Sequence, residues 1–174
     1  MRRETTSVSQ EDYLKAIWEL VQEEQTPISA RLAEKLLTDV IGLEWSRAHE
    51  EAEKLEHGIS VEVADLLLRR FGRESRCPHG VPLLGGMAKL RKSFGAVRLS
   101  EAETGTVYEV LRVYEKDPKF LEFLGGLALR PGARVRVHRR EYDETMELSV
   151  AGRKARKIHL GKPATERVWV RKGA

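Results

Sequence analysis

Apolar positions in the first part of the chain recur every three or four residues, which predicts helices. Ser9 and Asp12 have the spacing of a capping box, and the apolar positions after them place a first helix before Pro27. Three further helices are predicted to end near glycines, namely Gly42, Gly58 and Gly72. The N-terminal part of the chain is therefore expected to be helical.

The pattern changes at Val97, where short stretches of alternating apolar and polar positions predict strands. Pro118 is placed to begin one short helix between these strands. We therefore expect an α+β protein, with a helical metal-binding and dimerisation domain followed by a small β-barrel. The predicted boundaries are residues 1–72 for the helical domain, 73–96 for a Gly- and Pro-containing linker, and 97–174 for the barrel.

Composition places the chain among ordinary globular proteins, because 41% of its 174 residues are hydrophobic and 33% are charged. It contains no apolar run long enough to span a bilayer, and its start, MRRETTSVSQED, lacks the apolar segment of a secretory signal. Cys77 is the single cysteine, which fits a reducing compartment. We expect a cytoplasmic protein that does not enter the membrane.

Charge is distributed unevenly along the chain. Residues 1–96 carry a net charge of −2, whereas residues 97–174 carry +6. A DNA-reading domain usually presents a basic surface to the phosphates. The slightly acidic N-terminal half therefore argues against a complete DNA-reading domain there.

The third predicted helix carries metal-ligand side chains on one face, because their spacings are three and four residues. These residues are His49, Glu53, Glu56 and His57. Carboxylates with imidazoles can bind a first-row divalent metal, although a solvated charged face gives the same pattern. The sequence shows no pairing of a nucleophile with a base and no open-site metal motif of an enzyme, so we expect a non-enzymatic protein.

Three stretches of the chain together resemble the diphtheria toxin repressor family of metal-dependent transcriptional repressors. The stretches are EDYLKAIWELVQEEQTPISARLAEKL, LLTDVIGLEWSRAHEEAEKLEHGIS and PHGVPL. The tail, from LSEAETGTVYEVLRVYEKDPKF to RVWV, is similar to the FeoA-type barrel that ends many members. The resemblance implies a DNA-binding homodimer controlled by Mn²⁺ or Fe²⁺.

Two metal sites follow from the resemblance. The first is implied at Asp12, Glu53, Glu56 and His57, where oxygen donors replace two sulfur donors of the iron branch and so favour Mn²⁺. The second is implied at Glu34, His49 and Glu115. Asp12 is also explained as the capping-box partner of Ser9, and both readings stay open.

Other residues bear on these sites. Ala30 stands where both branches of the family have a histidine ligand, and Pro118 stands near an expected glutamine ligand. Cys77 and His79 are metal-ligand types, but the turn Cys77-Pro78-His79-Gly80 is the interpretation that the sequence favours.

Dimerisation is expected to use the apolar faces of the helices at 31–43 and 60–71. Their apolar residues exceed what one small helical layer can cover. The residues assigned to this interface are Leu36, Val40, Leu66, Leu67 and Phe71.

The hexapeptide RLAEKL at residues 31–36 matches two places in the family pattern, one before the recognition helix and one after the β-wing. The intervening recognition helix and wing are missing. We hypothesise a deletion between two similar coding stretches, which an uninterrupted winged helix at the sequenced locus would disprove. The predicted function is metal-dependent regulation by lineage, with doubtful specific DNA binding. The alternatives are a module that heterodimerises with a full-length repressor and inhibits it, or a non-functional deletion product.

Overall fold

The computed structural model describes residues 27–151 and 157–173 of the chain. Within them a helical region, residues 28–94, precedes a sheet region, residues 97–173. This confirms the predicted α+β class with its helices first. The helices of the helical region are α1 (Ile28–Leu36), α2 (Ala48–Glu56), α3 (Val61–Phe71) and α4 (Gly86–Phe94).

Local signals account for the helix ends. A π-helical turn, Leu37–Ile41, extends α1 and stops at Gly42, whose positive φ of 83° suits a glycine. Ser60 caps α3 by accepting a hydrogen bond from the Val63 amide at 3.2 Å. The predicted stops at Gly42 and Gly72 are confirmed.

The sheet region contains one antiparallel sheet of six strands, with the spatial order β1-β6-β2-β3-β4-β5. The strands are β1 (Val97–Arg98), β2 (Val107–Val113), β3 (Arg134–Arg140), β4 (Met146–Val150), β5 (Lys157–Leu160) and β6 (Val168–Lys172). In β3 the alternation predicted from sequence is present, because Val135 and Val137 are buried and Arg134 and Arg136 are not.

Two short helices complete the sheet region, α5 (Pro118–Gly126) and α6 (Lys162–Thr165). Pro118 begins α5 as expected, and Asp117 caps it by accepting a hydrogen bond from the Phe120 amide at 3.1 Å. None of the described helices is long and apolar enough to cross a bilayer.

Apolar side chains form two clusters. One fills the sheet region, and the other joins the helical region to the sheet. The second cluster contains Leu32, Cys77, Val81, Leu83, Met87, Leu90, Leu111 and Trp169. This second cluster packs Leu32 of α1 and Cys77 together with Leu111 of β2.

The segment at 73–96 differs from the linker that its Gly and Pro content suggested. It includes helix α4, and its side chains Leu83, Met87 and Leu90 are fully buried. A few well-placed apolar residues are enough to bury such a segment even without helical periodicity. The domain boundaries themselves stay a prediction.

Candidate metal centre

Glu34 lies on α1 at the junction between the helical and sheet regions, and only 1% of it is exposed. Its Oε1 lies 2.7 Å from His49 Nδ1 on α2. Its Oε2 lies 3.4 Å from Nδ1 of His79, whose side chain is completely buried. Since a buried carboxylate is costly unless it is paired, these two imidazoles define the centre of the site.

The protonation of His79 follows from its other ring nitrogen. Nε2 lies 2.8 Å from the backbone oxygen of Trp45, and a carbonyl oxygen only accepts hydrogen bonds. Nε2 therefore carries a proton and, in the neutral ring, Nδ1 presents a lone pair towards Glu34. Two acceptors then face each other across 3.4 Å, an arrangement that a cation between them stabilises.

The imidazole of His49 occupies the opposite side of Glu34. Its Nδ1 donates to Glu34, and its Nε2 lies 3.2 Å from Oε1 of Glu53, one helical turn further along α2. The second contact is close enough for an ion pair but lacks the geometry of a hydrogen bond. His49 Nε2 is therefore a buried nitrogen without a hydrogen-bond partner. The side chain of Glu53 is 60% exposed, so this edge of the site faces solvent.

Cys77 and His79 reach Glu34 on a turn that is pressed against β2. The Gly80 amide donates to Cys77 O at 2.9 Å, and the Val113 amide donates to His79 O at 3.0 Å. A Cβ on Gly80 would lie 1.9 Å from the carbonyl oxygen of Leu111, and its φ is +97°, so only glycine fits. The turn is therefore fixed in place before any ligand binds.

Glu115 brings the sheet region to the same site. It follows β2, it is 2% exposed, and its Oε2 accepts a hydrogen bond from Nη2 of Arg112 at 2.6 Å. Its negative charge acts on both Cys77 and His49. The sheet region therefore contributes a second buried carboxylate, in addition to Glu34.

Burial and pairing compete in setting the charges of this group. Burial opposes the charge of Glu34, but its hydrogen bond with His49 and its contact with the imidazole of His79 outweigh burial and hold the pKa of Glu34 well below its usual value. Burial likewise opposes protonation of His49, but the bond to Glu34 outweighs it and raises the pKa of His49. Burial, with the nearby charge of Glu34, raises the pKa of the Cys77 thiol. Cys77 is therefore a thiol at neutral pH in the absence of metal.

These opposite shifts predict a stability optimum for the metal-free protein. Glu34 contributes stability above its ordinary pKa of 4.5 and loses it as the pH falls through its lowered folded value. His49 contributes below its ordinary pKa of 6.5 and loses its contribution as the pH rises through its raised folded value. We compare the melting temperatures of wild type and Glu34→Gln in EDTA. The difference between them should be largest between the two ordinary pKa values, 4.5 for Glu34 and 6.5 for His49. A difference that is flat from acid to alkaline pH would contradict this, and exposed His57→Gln serves as the control.

The residues of the two expected metal sites fall into different environments. Glu34, His49 and Glu115 are all buried, and Glu34 contacts His49, but this second expected site stays a prediction. The side chains of Glu53 and Glu56 on α2 and of His57 directly after it are 60%, 17% and 88% exposed, and Asp12 lies outside the described residues. His57 Nε2 lies 3.6 Å from Glu56 Oε1, so these two remain close to each other. The first expected site stays a prediction.

Cys77 and His79 join the site although the sequence favoured a plain turn for them. Glu34, Cys77 and His79 each place one ligand atom so that all three atoms lie within 4.8 Å of one another. The sequence signal was present in the two ligand-type side chains, but spacing within a turn gives no information about a partner on α1.

The donor set fits a divalent metal. Glu34 Oε2 and His79 Nδ1 are both buried polar atoms without a hydrogen-bond partner, and such atoms are rare unless a ligand satisfies them. His79 donates its other nitrogen to a carbonyl, the usual support for a metal-binding imidazole. Carboxylate, imidazole and thiol donors suit Fe²⁺, Zn²⁺ and, less strongly, Mn²⁺.

Comparison with known proteins defines the class of these two regions. Residues 29–85 match the model described as the iron dependent repressor, metal binding and dimerisation domain. Residues 97–172 match the FeoA domain model. The helical region is therefore similar to the metal-binding and dimerisation domain of iron-dependent repressors and the sheet region to a FeoA domain, and the resemblance to the diphtheria toxin repressor family is confirmed.

Curated relatives agree with this assignment. The chain is 32% identical over 118 residues to the iron-dependent repressor IdeR of Mycobacterium leprae (strain TN), covering 62% of this chain and 51% of that protein. It is 47% identical over 55 residues to the diphtheria toxin repressor of Corynebacterium diphtheriae, covering 32% and 24%. The matched part of the chain thus spans about half the length of the first relative and about a quarter of the length of the second. Both are named repressors rather than enzymes, in agreement with the expectation from sequence.

Solved structures show the same architecture. A manganese-dependent transcriptional repressor has a TM-score of 0.74 and 27% identity, with 93% of this chain and 99% of that chain covered. ScaR with bound Zn²⁺ has a TM-score of 0.69 and 26% identity, with 94% and 76% covered. The likeness therefore extends over both the helical and the sheet region.

Proposed function

We propose that this chain is a metal-responsive regulatory protein of the repressor type, and that it senses Mn²⁺ or Fe²⁺ through the buried group at the junction of its two regions. One observation carries the proposal. Two acceptor atoms, Glu34 Oε2 and His79 Nδ1, face each other in a buried site that also contains a thiol. The names of the relatives, which include iron- and manganese-dependent repressors, support the choice of metal.

In this proposal Glu34, Cys77 and His79 hold the ion, while His49 and Glu115 complete the surrounding charge. A bound divalent ion would supply positive charge shared between the helical and sheet regions. Cys77 must release its proton on binding, because burial keeps it a thiol in the free protein. Metal affinity is therefore expected to fall as the pH is lowered.

Cobalt spectroscopy tests the ligand set directly, because Co²⁺ bound to a thiolate gives a strong sulfur-to-metal charge-transfer band. Wild type titrated with Co²⁺ under anaerobic conditions should show this band, and Cys77→Ser should lose it while still binding with lower affinity. Cys77 is the single cysteine of the chain, so no other thiolate can contribute. A wild-type spectrum without the band would exclude Cys77 as a ligand.

We further propose that the chain does not read an operator by itself. Helix α1 begins at Ile28, directly after Pro27 and close behind the helix predicted to start at Ser9. This spacing leaves no room between them for a recognition helix and wing, and specific duplex reading needs such an element in the major groove.

Selection from a random duplex pool tests this second proposal. The expected result with saturating Mn²⁺ is no enriched sequence and only weak, salt-sensitive binding. A single enriched site that is bound saturably in gel-shift assays with Mn²⁺, but not with EDTA, would overturn it.

An exposed apolar surface supports a dimer. Its candidate residues are the exposed apolar side chains of Val40 and Ile41 in the π-helical turn, 60% and 67% exposed, and of Val61, Val63 and Leu66 on α3. A homodimer is the main proposal for this surface. If the DNA-reading element is absent, the same surface could pair the chain with a full-length repressor and inhibit it, which co-purification with such a relative would support.

A further inference from the structure

Trp45 belongs to the helical region along the chain, but its indole lies in the apolar cluster that fills the sheet region. The indole packs against Gly125 of α5, where an added Cβ would lie 3.4 Å from Nε1 of Trp45. The guanidinium group of Arg130 lies 4.7 Å from the centre of the Trp45 ring, and its Nη2 lies 3.3 Å from Oε1 of Glu44. Trp45 therefore anchors the helical region in the sheet region.

The backbone of the same residue supports the candidate metal centre. The carbonyl oxygen of Trp45 accepts a hydrogen bond from Nε2 of His79 at 2.8 Å, and the centres of the two rings are 5.7 Å apart. The backbone oxygen of His79 accepts a second hydrogen bond, at 3.0 Å, from the Val113 amide of β2. The orientation of His79 therefore depends on how the helical and sheet regions are docked.

Two acceptors compete for the single proton of the neutral His79 ring. The Trp45 oxygen faces Nε2, and Oε2 of Glu34 lies 3.4 Å from Nδ1. A proton on Nε2 leaves the lone pair of Nδ1 available to a metal ion, whereas a proton on Nδ1 blocks that atom and turns it into a donor towards Glu34. The position of the Trp45 oxygen therefore decides whether the ring is ready to bind a metal.

We propose that Trp45 is a positioning residue that couples the docking of the sheet region to metal binding through the ring of His79. This inference rests on the proposed metal centre. While the indole is seated in the sheet region, the Trp45 oxygen keeps the His79 proton on Nε2. When the indole is displaced, that hydrogen bond is lost and the proton moves to Nδ1, facing Glu34. Since coupling between two equilibria is reciprocal, a bound metal in turn stabilises the docked arrangement of the two regions.

A purely structural role of Trp45 makes a different prediction. If the indole only fills the core, its displacement lowers the melting temperature but leaves the His79 proton on Nε2. The metal affinity of the folded protein then also stays unchanged. The location of the ring proton therefore separates the two roles.

Substitutions in α5 can displace the indole without any change to Trp45 itself. Valine is stiff at χ1, so the methyl groups of Gly125→Val would press against the Trp45 ring. Gly126→Val is the matched control, because a Cβ at this next residue of the same helix would lie in open space. Mn²⁺ affinity measured by calorimetry should fall about tenfold or more in Gly125→Val, the usual effect of losing the support of a metal-binding imidazole. Gly126→Val should bind Mn²⁺ like wild type.

Nitrogen NMR of the His79 ring in EDTA gives a readout that needs no metal. Wild type and Gly126→Val should carry the proton on Nε2, whereas Gly125→Val should carry it largely on Nδ1. Substitutions at Trp45 protect the test against misfolding of Gly125→Val. Trp45→Phe keeps an aromatic ring in the cluster and should retain the wild-type proton position and affinity, whereas Trp45→Ala should lose both.

The outcomes separate this inference from the metal centre on which it rests. Wild-type Mn²⁺ affinity and a proton on Nε2 in folded Gly125→Val or Trp45→Ala would overturn the coupling and leave the centre intact. Absence of Mn²⁺ binding by wild type would instead remove the metal centre and the coupling with it.

Discussion

Glu34→Gln is expected to abolish the rise in melting temperature that metal produces. The carboxylate of Glu34 contacts both imidazoles of the centre and contributes one of the three clustered ligand atoms. The neutral amide keeps the shape but is a poor metal ligand. In EDTA the variant should lose ~3 kcal/mol, because removing one partner of a buried ion pair leaves the other uncompensated. That loss corresponds to a fall of about 6–12 °C in melting temperature for a chain of this size.

Thermal melts of wild type and Glu34→Gln with EDTA and with Mn²⁺ measure both effects. Glu51→Gln is the matched control, because Glu51 also pairs with a basic side chain, Lys54 at 2.8 Å, but lies at the protein surface. The control should melt like wild type in both conditions. A Glu34→Gln protein that still gains as much melting temperature from Mn²⁺ as wild type would refute the assignment of Glu34 as a ligand.

Leu66→Asp is expected to convert the protein into a monomer. Leu66 lies on α3 and is 57% exposed in the single chain, so an aspartate there is tolerated by the isolated protomer. In a dimer built on this apolar surface, the charge would be buried without a partner, which weakens association on the order of 100-fold or more. Sedimentation equilibrium over a range of concentrations measures this change.

Tyr142→Asp is the control for that experiment, because Tyr142 is fully exposed in the turn between β3 and β4. It should leave the oligomeric state unchanged. Metal affinity of the Leu66→Asp protein should persist, since the buried group lies within one chain. Dimers of unchanged stability in Leu66→Asp would show that the interface lies elsewhere.

Local patterns were sufficient to predict most elements. The alternation of Val135 and Val137 with arginines predicted β3, and Pro118 predicted the start of α5. Such predictions succeed because propensity, capping and burial all favour the same structure at those positions. The segment at 73–96 was harder, because its apolar residues lack a helical period and become buried only through contacts with distant parts of the chain.

The candidate site was predicted in part. Family resemblance grouped Glu34, His49 and Glu115; Glu34 and His49 are in contact at 2.7 Å, whereas the buried Glu115 is paired with Arg112, and the metal site of these three residues stays a prediction. Cys77 and His79 were read as a turn, and they are indeed in a turn, but that turn is pressed against β2 by Gly80. The contact between His79 and Glu34 joins residues 45 positions apart, so no spacing rule within one element could have shown it.

Glu53 and His57, whose side chains are largely exposed, differ from the buried group. Helical spacing predicts that Glu53 and His57 share one edge, but it cannot indicate how much protein covers that edge. In the described residues His57 is largely exposed, whereas His49 on the same helix is buried against α1. Burial, rather than spacing, therefore distinguishes the two groups of ligand-type residues.

The central claim is that the buried group at the junction binds a divalent metal. Crystals grown with Mn²⁺ or Co²⁺ and measured at the absorption edge of that metal test it most directly. The account predicts an anomalous peak at about 2.0–2.4 Å from Glu34 Oε2, His79 Nδ1 and Cys77 Sγ. A well-occupied peak confined to the exposed edge of α2, with none between Glu34 and His79, would contradict it.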